Sequence, residues 1–181
     1  SPLFSQTKKF KIHTVAFYNF ENLFDTINDP DTFDEEWTPD GLQRWTKVKY
    51  QTKLHHLAQV LSEIGTPENK ELPTFIGGCE IENRAVLEDL IQQSQLQEAE
   101  YGIIHFDSPD KRGIDVALLY RKKWFRPTNF SSIPLYLNAT PESEKTNTAA
   151  SLAEKTEDDV PILAPTKRIY TRDQLLVSGY L

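Results

Sequence analysis

The segment His13–Phe20, HTVAFYNF, sets the strongest limit on what this chain can fold into. Its residues alternate at strand period, with Val15, Phe17 and Asn19 on one face and Ala16, Tyr18 and Phe20 on the other. Both faces are largely apolar, a pattern that predicts a strand covered on both sides.

The segments that follow supply candidate covers. Thr46 to Ile64 reads as an amphipathic helix, with Leu54, Leu57, Ala58, Leu61 and Ile64 at helical spacing and Gly65 placed to end it. Thr74 to Cys79 (TFIGGC) is a short apolar run after Pro73 and reads as a second buried strand. Asn83 is a candidate N-cap for a second helix carrying Val86, Leu87, Leu90 and Ile91. Tyr101–Phe106 and Ile114–Tyr120 are strands joined by the turn-forming run SPDKRG. Ser131–Leu137 and Tyr170–Tyr180 carry further strand pattern. Between them, residues 138–160 are polar and poor in large apolar side chains, and read as a mobile surface insertion. Strand, helix, strand, helix and then hairpin-like strands predict a mixed α/β layered fold. The chain stops at Gly179-Tyr180-Leu181 in strand pattern, which reads as a truncated domain.

Composition narrows the function classes. A formal charge of −7 over 181 residues argues against strong non-specific nucleic-acid binding, which needs Lys and Arg to displace counterions. A metal enzyme acting on phosphates stays open, because a bound cation changes the local charge. Cys79 is the only cysteine, so an intrachain disulfide and a thiolate-rich zinc site are excluded. No apolar run approaches membrane-spanning length.

Two segments carry chemistry. In Gly77–Arg84 (GGCEIENR) an apolar strand ends by presenting Glu80 just before a helix begins. Carboxylates at strand ends commonly face the ligand crevice of an α/β sheet, and Mg²⁺ prefers oxygen ligands. The competing reading makes Glu80 a solvated loop residue and Glu82 a helix-start acid. In Phe17–Phe24 (FYNFENLF) Asn19 is a polar amide in an apolar strand. Buried without partners it would cost roughly 1–3 kcal/mol, so it must bond a metal water, a carboxylate, a phosphate or plain backbone. Glu21 and Asn22 are weaker candidates. The acidic run Asp29, Asp31, Asp34, Glu35 and Glu36 lacks the spacing of a calcium loop and reads as solvated. Trp37, Trp45 and Trp124 read as core or rim packing.

FYNFENLF, then GGCEIENR, then RGIDVALLY, in that order and spacing, resembles the endonuclease/exonuclease/phosphatase superfamily, which includes deoxyribonuclease I-like nucleases, sphingomyelinases and inositol phosphatases. The pattern is most similar to its secreted or periplasmic branch from Bacteroides-type bacteria. The resemblance covers about Lys11 to Leu181 and implies the first half of a four-layer α/β sandwich, mixed sheets covered by helices. It implies a magnesium-dependent (or manganese-dependent) phosphoric ester hydrolase, with Asn19 and Glu80 at the metal and Glu21 as a weaker acidic position. Arg112, Asp115 and Arg172 are implied as candidates on the substrate-phosphate side. For Arg172 the competing reading is a solvent-facing partner of Asp173. The implied substrate is a phosphate ester, nucleic acid among the possibilities, and the implied location is periplasmic or secreted.

The family's later segments, an Asn-His-Trp-Pro-like run, an Asp-x-Asn pair and a terminal Ser-Asp-His, do not occur in these residues. His13, His55, His56 and His105 match none of them. The expectation is therefore a chain inert by itself, whose site is completed by the C-terminal half of the domain. The alternative is a non-catalytic binding or interaction module on the same scaffold.

Overall fold

The computed structural model describes residues 10–138 and 166–181. The segment read as a mobile insertion lies outside the described residues except at its first position.

The described residues form the expected mixed α/β architecture. The strands are β1 (Val15–Leu23), β2 (Phe75–Ile81), β3 (Tyr101–His105), β4 (Asp115–Arg121), β5 (Arg126–Ile133), β6 (Tyr136–Asn138), β7 (Thr166–Arg168) and β8 (Gln174–Tyr180). The helices are α1 (Lys47–Glu63) and α2 (Arg84–Ile91). A four-stranded sheet runs in the order β1-β2-β4-β3, while β5 pairs with β8 and β6 with β7. β1 and β2 are parallel, with α1 in the crossover that parallel strands need, and β3 and β4 form an antiparallel hairpin.

Local chemistry explains the helix ends. The Thr46 hydroxyl accepts from Lys49 N and the Asn83 amide oxygen accepts from Val86 N, so each helix begins on a side-chain cap. Gly65 follows α1 at φ 79, the left-handed conformation that closes a helix without steric cost. Leu54, Leu57, Ala58 and Leu61 of α1 and Val86, Leu87 and Leu90 of α2 are buried against Ala16, Phe20, Ile76 and Leu119 of the sheet. Tyr50 Oη donates to Asp89 at 2.8 Å and ties the two helices together.

Three expectations are corrected. β1 is covered on one face only: Phe20 is 0% exposed, whereas Val15 is 72% and Phe17 73% exposed. Both helices pack on the Ala16–Phe20 face, and the β5–β8 ribbon reaches β2 and β4 without covering β1, the edge strand. The strand expected at Ser131–Leu137 is two strands, β5 and β6, separated by Pro134 and Leu135, and β5 begins earlier, at Arg126. Proline lacks the N–H that a ladder requires. β8 starts at Gln174 rather than Tyr170, and it pairs with β5 in the two-stranded ribbon.

The acidic loop is also more folded than a solvated run. Asp34 is 1% exposed and accepts from Asp29 N at 3.0 Å. Trp37 stacks on Phe24 with centroids 5.1 Å apart, and Trp45 meets Trp37 edge-on while donating to the Phe24 carbonyl. The loop is held by this aromatic packing, with Glu35 and Glu36 left in solvent.

Candidate active site at the ends of the first two strands

Strands β1 and β2 lose their register at the same end. Asn19 pairs with Cys79, but the next partners are Leu23 and Ile81. On the other side of β2, Cys79 pairs with Val116 and Ile81 with Asp115, which leaves Glu80 as the extra residue of a β-bulge. Bulges re-aim side chains, and this one turns Glu80 out of the ladder. Glu80 has φ 62, Glu21 φ 53 and Asn22 φ 59, all in the left-handed region that non-glycine residues avoid. Each such residue costs on the order of 1–3 kcal/mol and persists where surrounding structure enforces it. Here the enforcement is visible: Asn22 N donates to Glu80 Oε2 at 3.1 Å, and Glu21 N donates to Asn19 Oδ1 at 2.7 Å. A close approach adds to it. A Cβ on Gly77 would lie 2.7 Å from the Phe17 ring, so glycine lets that ring lie over β2.

Two cavities touch Asn19. The larger, about 800 Å³, lies between the bulged strand ends and the start of β8 and is lined by Asn19, Glu80, Cys79 and Arg172, among others. The other, about 490 Å³, runs between β1 and α1 past Tyr18, Trp45 and Lys53 and is mainly apolar. The polar chemistry is in the first. Arg172 Nη1 stands 3.8 Å from Glu80 Oε1, both side chains being partly shielded. Across the bulge, Lys53 Nζ donates to the Glu21 carbonyl; burial pulls its pKa down, against the upward pull of the Glu21 and Glu80 charges. Arg112 sits outside the cavity lining but within the field of Glu80. Its guanidinium is gripped by Asp110, which pushes its pKa above the usual value.

The structure thus brings Asn19, Glu80 and Arg172 to one cavity, and leaves Arg112 outside its lining. Asp115 does not line it. That carboxylate is 3% exposed and accepts from His105 Nε2 at 2.9 Å and from Ser108 N at 2.7 Å. Glu21 is exposed and offers its carbonyl, not its carboxylate, to Lys53. His55 and His56 are exposed on α1; neither lines the cavity that holds Glu80, and His56 lines the apolar one between β1 and α1.

Three further groups now stand out. Asp110 is 7% exposed and holds Arg112; the signal for it was the Asp-x-Arg spacing inside the SPDKRG turn. Glu82 is 9% exposed. Burial pushes its carboxyl up to about 8, the nearby Asp25, Asp34 and Asp29 charges add to that, and the Asp25 N–H opposes it. His105, Asp107 and Asp115 bring ligand atoms within 4.8 Å of one another. Yet both Asp115 oxygens already accept hydrogen bonds and Asp107 is exposed, so the group is a His–carboxylate pair bracing a turn.

The donor set at Glu80 suits Mg²⁺. That ion keeps most of its waters and binds proteins through one or two carboxylates, so one free carboxylate oxygen beside an amide is a matching first contact. Among the described residues Glu80 Oε1 has no hydrogen-bond partner, and it faces the cavity side where Arg172 stands.

Residues 14–160 match the model of the endonuclease/exonuclease/phosphatase family. The chain belongs to that family. Membership supports a phosphate-ester hydrolase of nuclease or phosphatase type, in keeping with a strand-end carboxylate that faces the Arg172 guanidinium. Neither the curated proteins nor the solved structures contain a significant match. No helix among the described residues is long and apolar enough to cross a membrane.

Proposed function

We propose that this chain forms one wall of a magnesium-dependent phosphodiesterase or nuclease site, hydrolysing its ester by in-line attack of water. The observation that carries the reading is the bulge that turns Glu80 toward Arg172 beside Asn19 in a single open cavity. Bound there, Mg²⁺ (or Mn²⁺) would supply charge stabilisation at a phosphoryl oxygen and the leaving group.

The chain's own residues do the rest. Glu80 offers one carboxylate oxygen to the cation while Asn22 N holds the other. The Asn19 amide group, oriented by Glu21 N, leaves its NH₂ for a bound water or a phosphate oxygen. Arg172, and Arg112 from outside the lining, offset the negative charge of the phosphate, and a guanidinium can meet two of its oxygens at once.

What the cavity lacks among the described residues is a free base. Its carboxylates are Glu80 and Asp173, and Asp173 is held by Arg168 at 2.6 Å and by Ser132. On this reading a further segment, the C-terminal half of the domain, supplies the group that activates water, and the chain by itself is inert. The uncovered Val15–Phe17 face of β1 supports such a segment. The same want of a base favours, as the second reading, a binding module that holds phosphates without cleaving them. The periplasmic or secreted location implied by resemblance is tested by cell fractionation.

The deciding experiment compares wild type with Glu80→Gln. With Mg²⁺, the complete parent protein is expected to cleave bis(p-nitrophenyl) phosphate, and Glu80→Gln to lower turnover by about 100-fold or more. Unchanged turnover in the variant removes Glu80 from the mechanism. No turnover in the parent, with phosphate still bound, selects the binding module.

A further inference from the structure

Asp110 stands outside the chemistry just described, yet its single carboxylate joins two parts of the molecule. Oδ1 accepts from Arg112 Nε at 3.0 Å and from Arg112 N at 3.0 Å, and Oδ2 accepts from Arg112 Nη2 at 2.8 Å. Oδ2 also accepts from the Thr171 hydroxyl at 3.1 Å. Thr171 immediately precedes Arg172, whose guanidinium faces Glu80 at 3.8 Å. Among the described residues, the Thr171–Asp110 contact is the one hydrogen bond between the β3–β4 turn and the segment entering β8.

The turn that carries Asp110 is itself braced. Asp110 N donates to Ser108 Oγ, Ser108 Oγ donates to the Ile114 carbonyl, and Ser108 N donates to Asp115, which His105 holds from the other side. The Asp110 end of this charge-assisted fork is buried while the Arg112 side chain is 59% exposed; two parallel bonds to one carboxylate fix the guanidinium's orientation, and a second donor on the same oxygen adds a geometric constraint that water would not.

We infer that Asp110 is the positioning residue of the phosphate side of the site, orienting Arg112 directly and Arg172 through Thr171. The inference rests on the phosphate-site reading above. It assigns the His105–Asp115 pair a function as well: that pair holds the turn from which Asp110 acts.

The test uses the whole chain, with inorganic phosphate as probe in the presence of Mg²⁺. Affinity is followed by calorimetry, and the Arg112 and Arg172 side-chain Nε–H signals by NMR. Asp110→Asn and Thr171→Val are each expected to weaken phosphate by about tenfold, the scale of one misdirected hydrogen bond to a charged group. The double variant is expected to lose little more than Asp110→Asn alone, because Thr171 acts only through its contact with Asp110. Thr171→Val leaves the Asp110–Arg112 fork intact and replaces a partly buried hydroxyl by a methyl, so it carries the test where Asp110→Asn folds poorly. With its melting temperature unchanged, Thr171→Val should still shift the Arg172 Nε–H signal, which a merely structural role would not do.

A folded Thr171→Val chain that binds phosphate within about twofold of wild type, with the Arg172 signal in place, overturns the inference and leaves the phosphate site standing. Wild-type chain that takes up no phosphate, or Arg172→Ala that binds as wild type does, overturns the underlying reading and the inference with it.

Discussion

Replacing Glu80 by glycine and by alanine separates backbone strain from ligand chemistry. Both variants lose the carboxylate, and with it the Asn22 N–H bond, so that loss cancels in the comparison. What differs is the cost of φ 62. A left-handed conformation costs an L-residue with a Cβ about 1–2 kcal/mol, and costs glycine nothing. Glycine returns about 0.4–1 kcal/mol of that through the greater freedom of its unfolded chain. The difference favours Glu80→Gly over Glu80→Ala by about 0.5–1 kcal/mol. In an ordinary strand interior the order is reversed, with glycine worse by roughly 0.5–1 kcal/mol. Urea unfolding of the two chains, compared at equal slope so that only the midpoint carries the difference, reads this directly. Magnesium binding measured on the same samples should be lost from both. An alanine variant as stable as the glycine variant, or more so, would refute the claim that Glu80 is held in a strained bulge.

Two other outcomes follow from features away from the cavity. The Glu71 carboxyl is held near 2 by Lys11 first and then by Arg121, whose side chain is mostly buried. A depressed carboxyl lends stability above its ordinary value, about 4.5, and loses it as pH falls through about 2. Glu71→Gln should therefore lower the melting temperature at neutral pH, and the gap should close on acidification; a gap independent of pH would exclude the ion pairs as its source. Val15→Thr combined with Phe17→Thr alters side chains more than 70% exposed, so folding free energy should shift by no more than about 0.5 kcal/mol each. Urea unfolding of the double variant checks this, and a large loss of stability would mean that this face is covered in the free chain.

How much was legible in the sequence divides along physical lines. Leu54, Leu57, Ala58 and Leu61 announce α1 because a helix stripe records which side meets the core. Asn83 announces α2 because a cap is local chemistry. The β1 alternation revealed a strand but not its exposure, since Val15 and Phe17 are apolar whether or not a partner covers them. β5, RPTNFSSI, belongs to a thin ribbon with no strongly buried face, so no periodicity marks it. Asn19 and Glu80 were visible as polar residues at the ends of apolar runs, and the structure brings both to one cavity. Asp34 was missed because charge in an acidic run was read as solvation, and Asp110 because SPDKRG was read only as turn formers; the contact of Asp110 with Thr171 joins residues far apart in sequence.

The paired irregularity at the ends of β1 and β2 has a consequence for which substitutions leave the site intact. The notch that holds Asn19 and Glu80 is shaped by main-chain conformation, at Glu21, Asn22 and Glu80, more than by the identity of surrounding side chains. A substitution confined to the exposed rim therefore leaves the path of the main chain through the notch in place, whereas one that relaxes the left-handed residues alters the notch itself.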